Sequence, residues 1–166
     1  MITTLNKGTE TMNRKHFLRA ALALAVLGPV SAFAAPAGAA PIKATLYKDP
    51  SCSCCEAYAK YLDQNGFKVK VVPDPSLQQT TLQAGVPESL IGCHLTKLGG
   101  YVFEGHIPAP IIKKYLASHP TTKGLAIPGM PAGLPGMPAM AGMKAEPIQV
   151  YVVGTTKPVV FATVNQ

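Results

Sequence analysis

Apolar and polar positions change period several times along the chain, and each change marks an element. Ala44-Thr45-Leu46-Tyr47 is short, apolar and β-prone, and reads as a buried strand. From Cys54 the pattern becomes helical, with Cys55, Tyr58, Ala59 and Leu62 at i, i+3, i+4 and i+7, and Asn65-Gly66 stops it. Ser53 followed three residues later by Glu56 reads as a capping box, so Ser53 is the expected N-cap. Phe67 to Val72 is a second strand, in which Val69 and Val71 alternate with Lys68 and Lys70 before Pro73 and Pro75 end it. Ser76 with Gln79 predicts another cap and a short helix to Ala84, closed by Gly85. His94 to Leu98, Gly99-Gly100 and Tyr101 to Glu104 read as a tight hairpin. A helix from about Pro110 to Ser118 presents Ile111, Ile112, Tyr115 and Leu116 on its apolar side. Ile148 to Val153 and Val159 to Val164 form a last β-pair around Gly154-Thr155-Thr156-Lys157.

The order of strand, cysteine-led helix, strand, helix, hairpin and helix predicts an α/β fold. Its pattern is a thioredoxin-like sandwich, a small mixed sheet with flanking helices, to which the C-terminal β-pair is added. Residues 120–147 stand apart. Pro128-Gly129-Met130-Pro131 recurs as Pro135-Gly136-Met137-Pro138, and Met140 and Met143 follow. A loop this long in a compact domain is expected to be functional or mobile.

The chain's start does not belong to that domain. Met12-Asn13-Arg14-Lys15-His16 is a basic head, Ala20 to Leu27 is an apolar run broken by Gly28-Pro29, and Ala32-Phe33-Ala34 has the small-x-small form of a cleavage site. Residues 1–34 therefore read as a secretory signal peptide, 35–43 as a linker and 44–166 as one domain. No membrane span is expected after the leader is removed. The leader takes four basic residues and one acidic one with it, which lowers the net charge from +7 to +4. The remaining lysines are scattered and no arginine is left, so no nucleic-acid stripe is read. Export places the cysteines where disulfides are permitted.

Three of the four cysteines lie in Cys52-Ser53-Cys54-Cys55, and the fourth, Cys93, is followed by His94. Packing needs no such cluster; a soft-metal or redox site does, because thiolates bind soft metals and exchange disulfides. A helix start at this point would aim orphan N–H groups at the sulfurs and favour thiolate. Cys52 to Cys55 is also a C-x-x-C, so thiol–disulfide exchange by that pair is the main alternative. A zinc-stapled module is a third reading, against which the adjacency of Cys54 and Cys55 speaks.

Several stretches resemble the small periplasmic proteins of bacterial copper-resistance clusters, the CopG-like family. They are Lys48 to Cys55, Asn65-Gly66-Phe67, Gly85-Val86-Pro87, Cys93-His94, Gly100-Tyr101, Glu104 to Pro108 and Gly124 to Pro131. The resemblance implies a thioredoxin-like fold and copper bound by the triple-cysteine motif and the Cys-His pair. Tyr58 stands where the family usually has tryptophan, and the methionine repeat is longer than the family's usual form. Four sulfurs exceed the needs of one two-coordinate Cu(I), so several ions in a thiolate-bridged cluster are expected. The candidate metal ligands are Cys52, Cys54, Cys55, Cys93, His94, His106, Met130 and Met137; no catalytic residue is assigned. Cys93 and His94 can share an ion only if the chain turns there or the ion sits at a strand end, because neighbouring strand residues face opposite ways. Copper ions are the expected partners, together with periplasmic copper exporters or chaperones.

Overall fold

The computed structural model of the protein describes residues 40–138, 142 and 146–165. The leader expected at 1–34, most of the linker, and Met140 and Met143 lie outside the described residues. Strand β1 (Ile42–Lys48), helix α1 (Ser53–Gln64), strand β2 (Phe67–Pro73) and helix α2 (Leu77–Gln83) come first. A 3-10 turn at Glu88–Leu90 leads to β3 (His94–Leu98) and β4 (Tyr101–Glu104). Helix α3 (Ala109–Ala117), β5 (Gly124–Ala126), β6 (Ile148–Val153) and β7 (Val160–Val164) complete the order.

Among the described residues the seven strands join one mixed sheet in the order β2-β1-β3-β4-β5-β6-β7. β1 with β2 and β4 with β5 are parallel, and the other neighbours are antiparallel. The helix between each parallel pair is the crossover that such pairing requires. The sheet is larger than the expected small sheet with an added pair. The short strand β5 bridges the gap, so the C-terminal pair continues the main sheet. Nothing in the pattern of Gly124-Leu125-Ala126 announces a strand, yet Gly124 is essential to it. A Cβ there would collide with the Val102 carbonyl of β4.

Helix α1 buries Cys55, Tyr58, Ala59 and Leu62, the four positions the period selects. With Ala109, Ile112 and Tyr115 of α3 they pack on Ala44, Leu46, Phe103 and Leu125 of the sheet. Each buried side chain of leucine size contributes about 1.5–3 kcal/mol. Leu95, Val102, Ala126 and Val86 form a second core on the opposite face, with Leu77 and Ala84 from α2 and its end packed against it. The α2 cap differs from expectation. Ser76 holds the N-cap position without a side-chain cap bond. Asp74 does the work instead, accepting from the Ser76 N–H at 2.8 Å and the Thr80 hydroxyl at 2.6 Å. Among the described residues no helix is long and apolar enough to cross a membrane.

Candidate metal centre

The cysteine cluster sits where β1 runs into α1. Inward positions of β1 alternate as Ala44, Leu46 and Lys48, so a lysine ends the buried row. Lys48 is 3 % exposed. Its Nζ donates to the carbonyls of Asp49 (3.0 Å) and Pro50 (3.1 Å) and lies 3.4 Å from Glu56 Oε1. One ammonium thus ties the turn before Cys52 to the first turn of α1. Asp49 tightens the same turn by accepting from the Ser51 N–H at 2.8 Å and the Cys52 N–H, through its backbone carbonyl, at 3.0 Å. The Ser51 hydrogen bonds hold the exposed Asp49 carboxyl below its usual range.

The N-cap of α1 is Cys52, one residue before the expected Ser53, and its Sγ accepts from the Cys55 N–H at 3.3 Å. The cap group is therefore itself one of the sulfurs, which draws Cys52 into the helix start instead of leaving it on the entering loop. Cys52 and Cys55 are joined by a disulfide, and Cys54 and Cys93 are free thiols. Cys54 Sγ stands 3.4 Å from Cys52 Sγ, and Cys55 Sγ lies 3.4 Å from the Cys93 carbonyl.

Strand β3 begins at His94, so Cys93 precedes the strand and the strand-end geometry applies. Cys93 Sγ lies 3.3 Å from His94 Nδ1 and 3.1 Å from His106 Nε2. His106 Nδ1 is 2.7 Å from the Pro135 carbonyl, which only accepts. Nδ1 therefore carries the proton and Nε2 presents a lone pair toward the Cys93 thiol. Burial pulls the pKa of both histidines down, and for His94 the neighbouring His106 adds to it. Both are neutral imidazoles, the form that binds metal. His94 Nε2 is buried with no hydrogen-bond partner. Burial, then the neighbouring Cys54 sulfur, then Glu104, pushes the Cys93 thiol up to about 12.

Two groups of ligand atoms result, each with its members within 4.8 Å of one another. One is Cys52, Cys54, Cys55 and Cys93; the other is Cys55, Cys93, His94 and His106. Met137 is half-buried and packs against the same core as Cys52, Cys54 and Cys93. Its neighbour Gly136, at φ +79°, lies on the first turn of α1, where a Cβ would come 2.7 Å from Tyr58 N and 3.1 Å from the Cys54 carbonyl. Only glycine fits both that backbone and that gap. The second Pro-Gly-Met-Pro unit is thus seated against the centre. Met130, in the first, is 61 % exposed.

Two side chains that the sequence reading did not assign to the site, Tyr58 and Glu104, complete the surroundings. Tyr58 is buried, donates to the Ile107 carbonyl at 2.7 Å, and places its ring 4.6 Å from that of His94 and 5.0 Å from that of His106. Glu104 accepts from the Gly92 N–H at 2.8 Å, beside Cys93, and its Oε2 has no partner. Burial pushes its carboxyl up to about 8. A signal existed for each: Tyr58 lies one helical turn after Cys55, and Glu104 falls two residues after the inward Val102.

These features define a mixed α/β protein with a buried cysteine–histidine centre whose donors suit a soft metal ion. The chain belongs to the family of the copper resistance protein CopG. It is 33% identical to the structure titled copper resistance protein CopG, form 1, covering 76% of this chain and 99% of that one at a TM-score of 0.68. For form 2 the identity is 34%, the coverage 75% and 98%, and the TM-score 0.67. A family described as a protein of unknown function, DUF411, matches residues 90–137, the stretch with Cys93, His94, His106 and the seated loop. No curated protein matches the chain. Family and centre together indicate a copper-related function.

Proposed function

We propose that this is an exported, periplasmic copper-binding protein that holds Cu(I) on clustered thiolates and acts in copper resistance or homeostasis. The observation that supports it most is the overlap of the two ligand groups, which share Cys55 and Cys93. A sulfur common to two groups is placed to bridge ions, so several coppers suit the site better than one. Once deprotonated, the four cysteines give soft thiolates, and His94 and His106 add neutral imidazoles, a donor set matched to Cu(I). Met137 and Met130 are the proposed thioether donors from the loop. The basic and apolar leader at 1–34 supports export, after which periplasmic exporters or chaperones exchange copper with the centre.

The Cys52–Cys55 disulfide favours a second reading, thiol–disulfide exchange. In the disulfide form only Cys54 and Cys93 are thiols. Reduction by an external dithiol breaks the S–S bond, delivers two electrons and two protons, and leaves the reductant as its own disulfide. In the copper reading this step gates loading, and Cu(I)/Cu(II) interconversion is a further redox role; in the alternative the exchange is itself the function. Metal content of the exported protein, with thiols counted before and after chelation, decides between them. Several equivalents of copper on the reduced protein and few on the disulfide form are expected. One equivalent of zinc, with copper bound no better than by a cysteine-free variant, overturns the copper reading.

A further inference from the structure

On the second face of the sheet, Tyr47 and, from α2, Leu77 pack against the cluster that contains Leu95. Toward the Lys43 end of β1 that face opens into a groove of about 630 Å³ lined by Lys43, Lys68, Lys70 and Lys97, with no acidic residue in its lining. The strand register arranges the lysines in two rows. Lys43 pairs with Lys68, and Thr45 stands between Lys70 and Lys97. Like charges side by side on neighbouring strands are destabilising. Among the described residues no carboxylate lies within ion-pair distance of any of the four; the ion pair formed there is Lys48 with Glu56.

Protection of a sheet edge accounts for lysines on the edge strand β2. It does not account for Lys43 on β1 or Lys97 on β3, which are interior strands. Lys97 is held over the Tyr47 ring at 5.1 Å, which props its ammonium at the groove's border. Thr45 is the uncharged member of the second row, and Val102 of β4 flanks Lys97 at its far end. The mouth is the Gly99-Gly100 turn, whose φ values of +55° and +90° require glycine or its like and leave the turn without side chains.

We propose that this groove docks an extended, acidic segment of a partner protein. The two lysine rows are two residues apart along the strands, roughly 7 Å. Carboxylates at i and i+2 of an extended chain have the same spacing. A lipid surface fits less well, because none of the large exposed hydrophobics among the described residues (Leu82, Met130, Val159, Val160) borders the groove to anchor it. The groove and the cysteines lie at opposite ends of β1, about 17 Å apart along the strand. A partner held here leaves the metal centre open, and the assignment does not depend on which metal that centre binds.

Fluorescence anisotropy with a labelled peptide of alternating glutamate and threonine, at low salt, tests the proposal. The probe is expected to bind, and its glutamine counterpart to bind about tenfold more weakly or worse. Lys43→Glu combined with Lys70→Glu, one change per row, should weaken the glutamate peptide by at least about tenfold. Lys113→Glu combined with Lys114→Glu makes the same change in net charge on α3 and should stay within about twofold of wild type. Amide spectra of both double variants confirm that they fold. No binding of the glutamate peptide overturns the proposal. So does an equal loss in the α3 control, or lysine-dependent binding of phosphatidylglycerol vesicles in place of the peptide.

Discussion

Strand β1 has a lysine near each end, and the molecule treats them in opposite ways. Lys43 is exposed beside Lys68, with no carboxylate to meet it among the described residues. Lys48 is buried, and its ammonium is bound to two backbone carbonyls and a glutamate. The neighbours of Lys48 follow the same rule. His94, His106 and Glu104 are buried with it at one end of the sheet. Burying such groups is unfavourable, and an apolar core would serve stability as well. Their concentration at the end that carries the cysteines fits the proposed metal centre. At the other end the charge is left in water, available to something outside the molecule.

The sharpest way to break the contrast is to remove the sulfurs shared by the two ligand groups. Cys55→Ser or Cys93→Ser should abolish most copper loading of the reduced protein, whereas Cys54→Ser, which touches one group, should leave a partly loaded site. Metal analysis after gel filtration measures the stoichiometry. Equal, full loading in all three variants would show that the centre is not the copper site.

The lysines themselves come next. Lys48→Met should destabilise the metal-free protein by about 2–4 kcal/mol, because the Asp49 and Pro50 carbonyls lose the buried ammonium and Asp49 keeps only the Cys52 N–H. Copper affinity should fall with it, since the turn that carries Cys52 loosens. Lys43→Met should change stability by less than about 0.5 kcal/mol. Urea unfolding of both variants gives the comparison directly; similar values would mean that Lys48 does not clamp the cysteine turn.

Glu104 gives a smaller, pH-dependent effect. Its carboxyl is raised to about 8 in the folded protein, from an ordinary value near 4.5. Below the lower value both folded and unfolded chains hold the proton. Between the two values only the folded chain does, so its contribution to stability falls as pH rises and is gone above about 8. Glu104→Gln is neutral throughout and keeps an oxygen for the Gly92 N–H. The difference in melting temperature between variant and wild type, both metal-free, should therefore grow in the variant's favour from pH 5 to pH 8. A difference that does not vary with pH would place Glu104 in an ordinary, solvated setting.

The two ends also differ in how much of them could be read in advance. The lysine end was legible as alternation: Val69 and Val71 against Lys68 and Lys70, and the Gly99-Gly100 hairpin, are local patterns. At the metal end the α1 period marked Cys55, Tyr58, Ala59 and Leu62 correctly, but its start was misplaced by one residue. A cysteine capped the helix, where propensity favours serine. β5 has three residues, too few to show a period, and its place depends on the distant Val102 carbonyl. The tautomer of His106 depends on Pro135, 29 positions away. Lys48 and Glu104 did lie on inward positions of their strands, but an ionisable residue there reads as exposed until its partners are known.

The smallest effect concerns the loop that spans both descriptions, seated at one methionine and open at the other. Cysteine must lose a proton to bind metal, and the thiol of Cys93 holds its proton up to about 12, so loading releases a proton and weakens as pH falls. A thioether has no proton to lose, so any methionine contribution should persist in acid. Met137 packs against the core that holds Cys52, Cys54 and Cys93, while Met130 is 61 % exposed. Met137→Leu keeps the volume and removes the sulfur, so the loop should stay seated through Gly136 and the Pro135 carbonyl. Competition with a Cu(I) chelator should show a loss on the order of 1 kcal/mol for Met137→Leu, and a smaller one for Met130→Leu. The Met137 loss should be proportionally larger at pH 5 than at pH 7, where protons compete less with the metal for the cysteine sulfurs. If both variants match wild type at both pH values, the loop holds His106 in place and contributes no ligand.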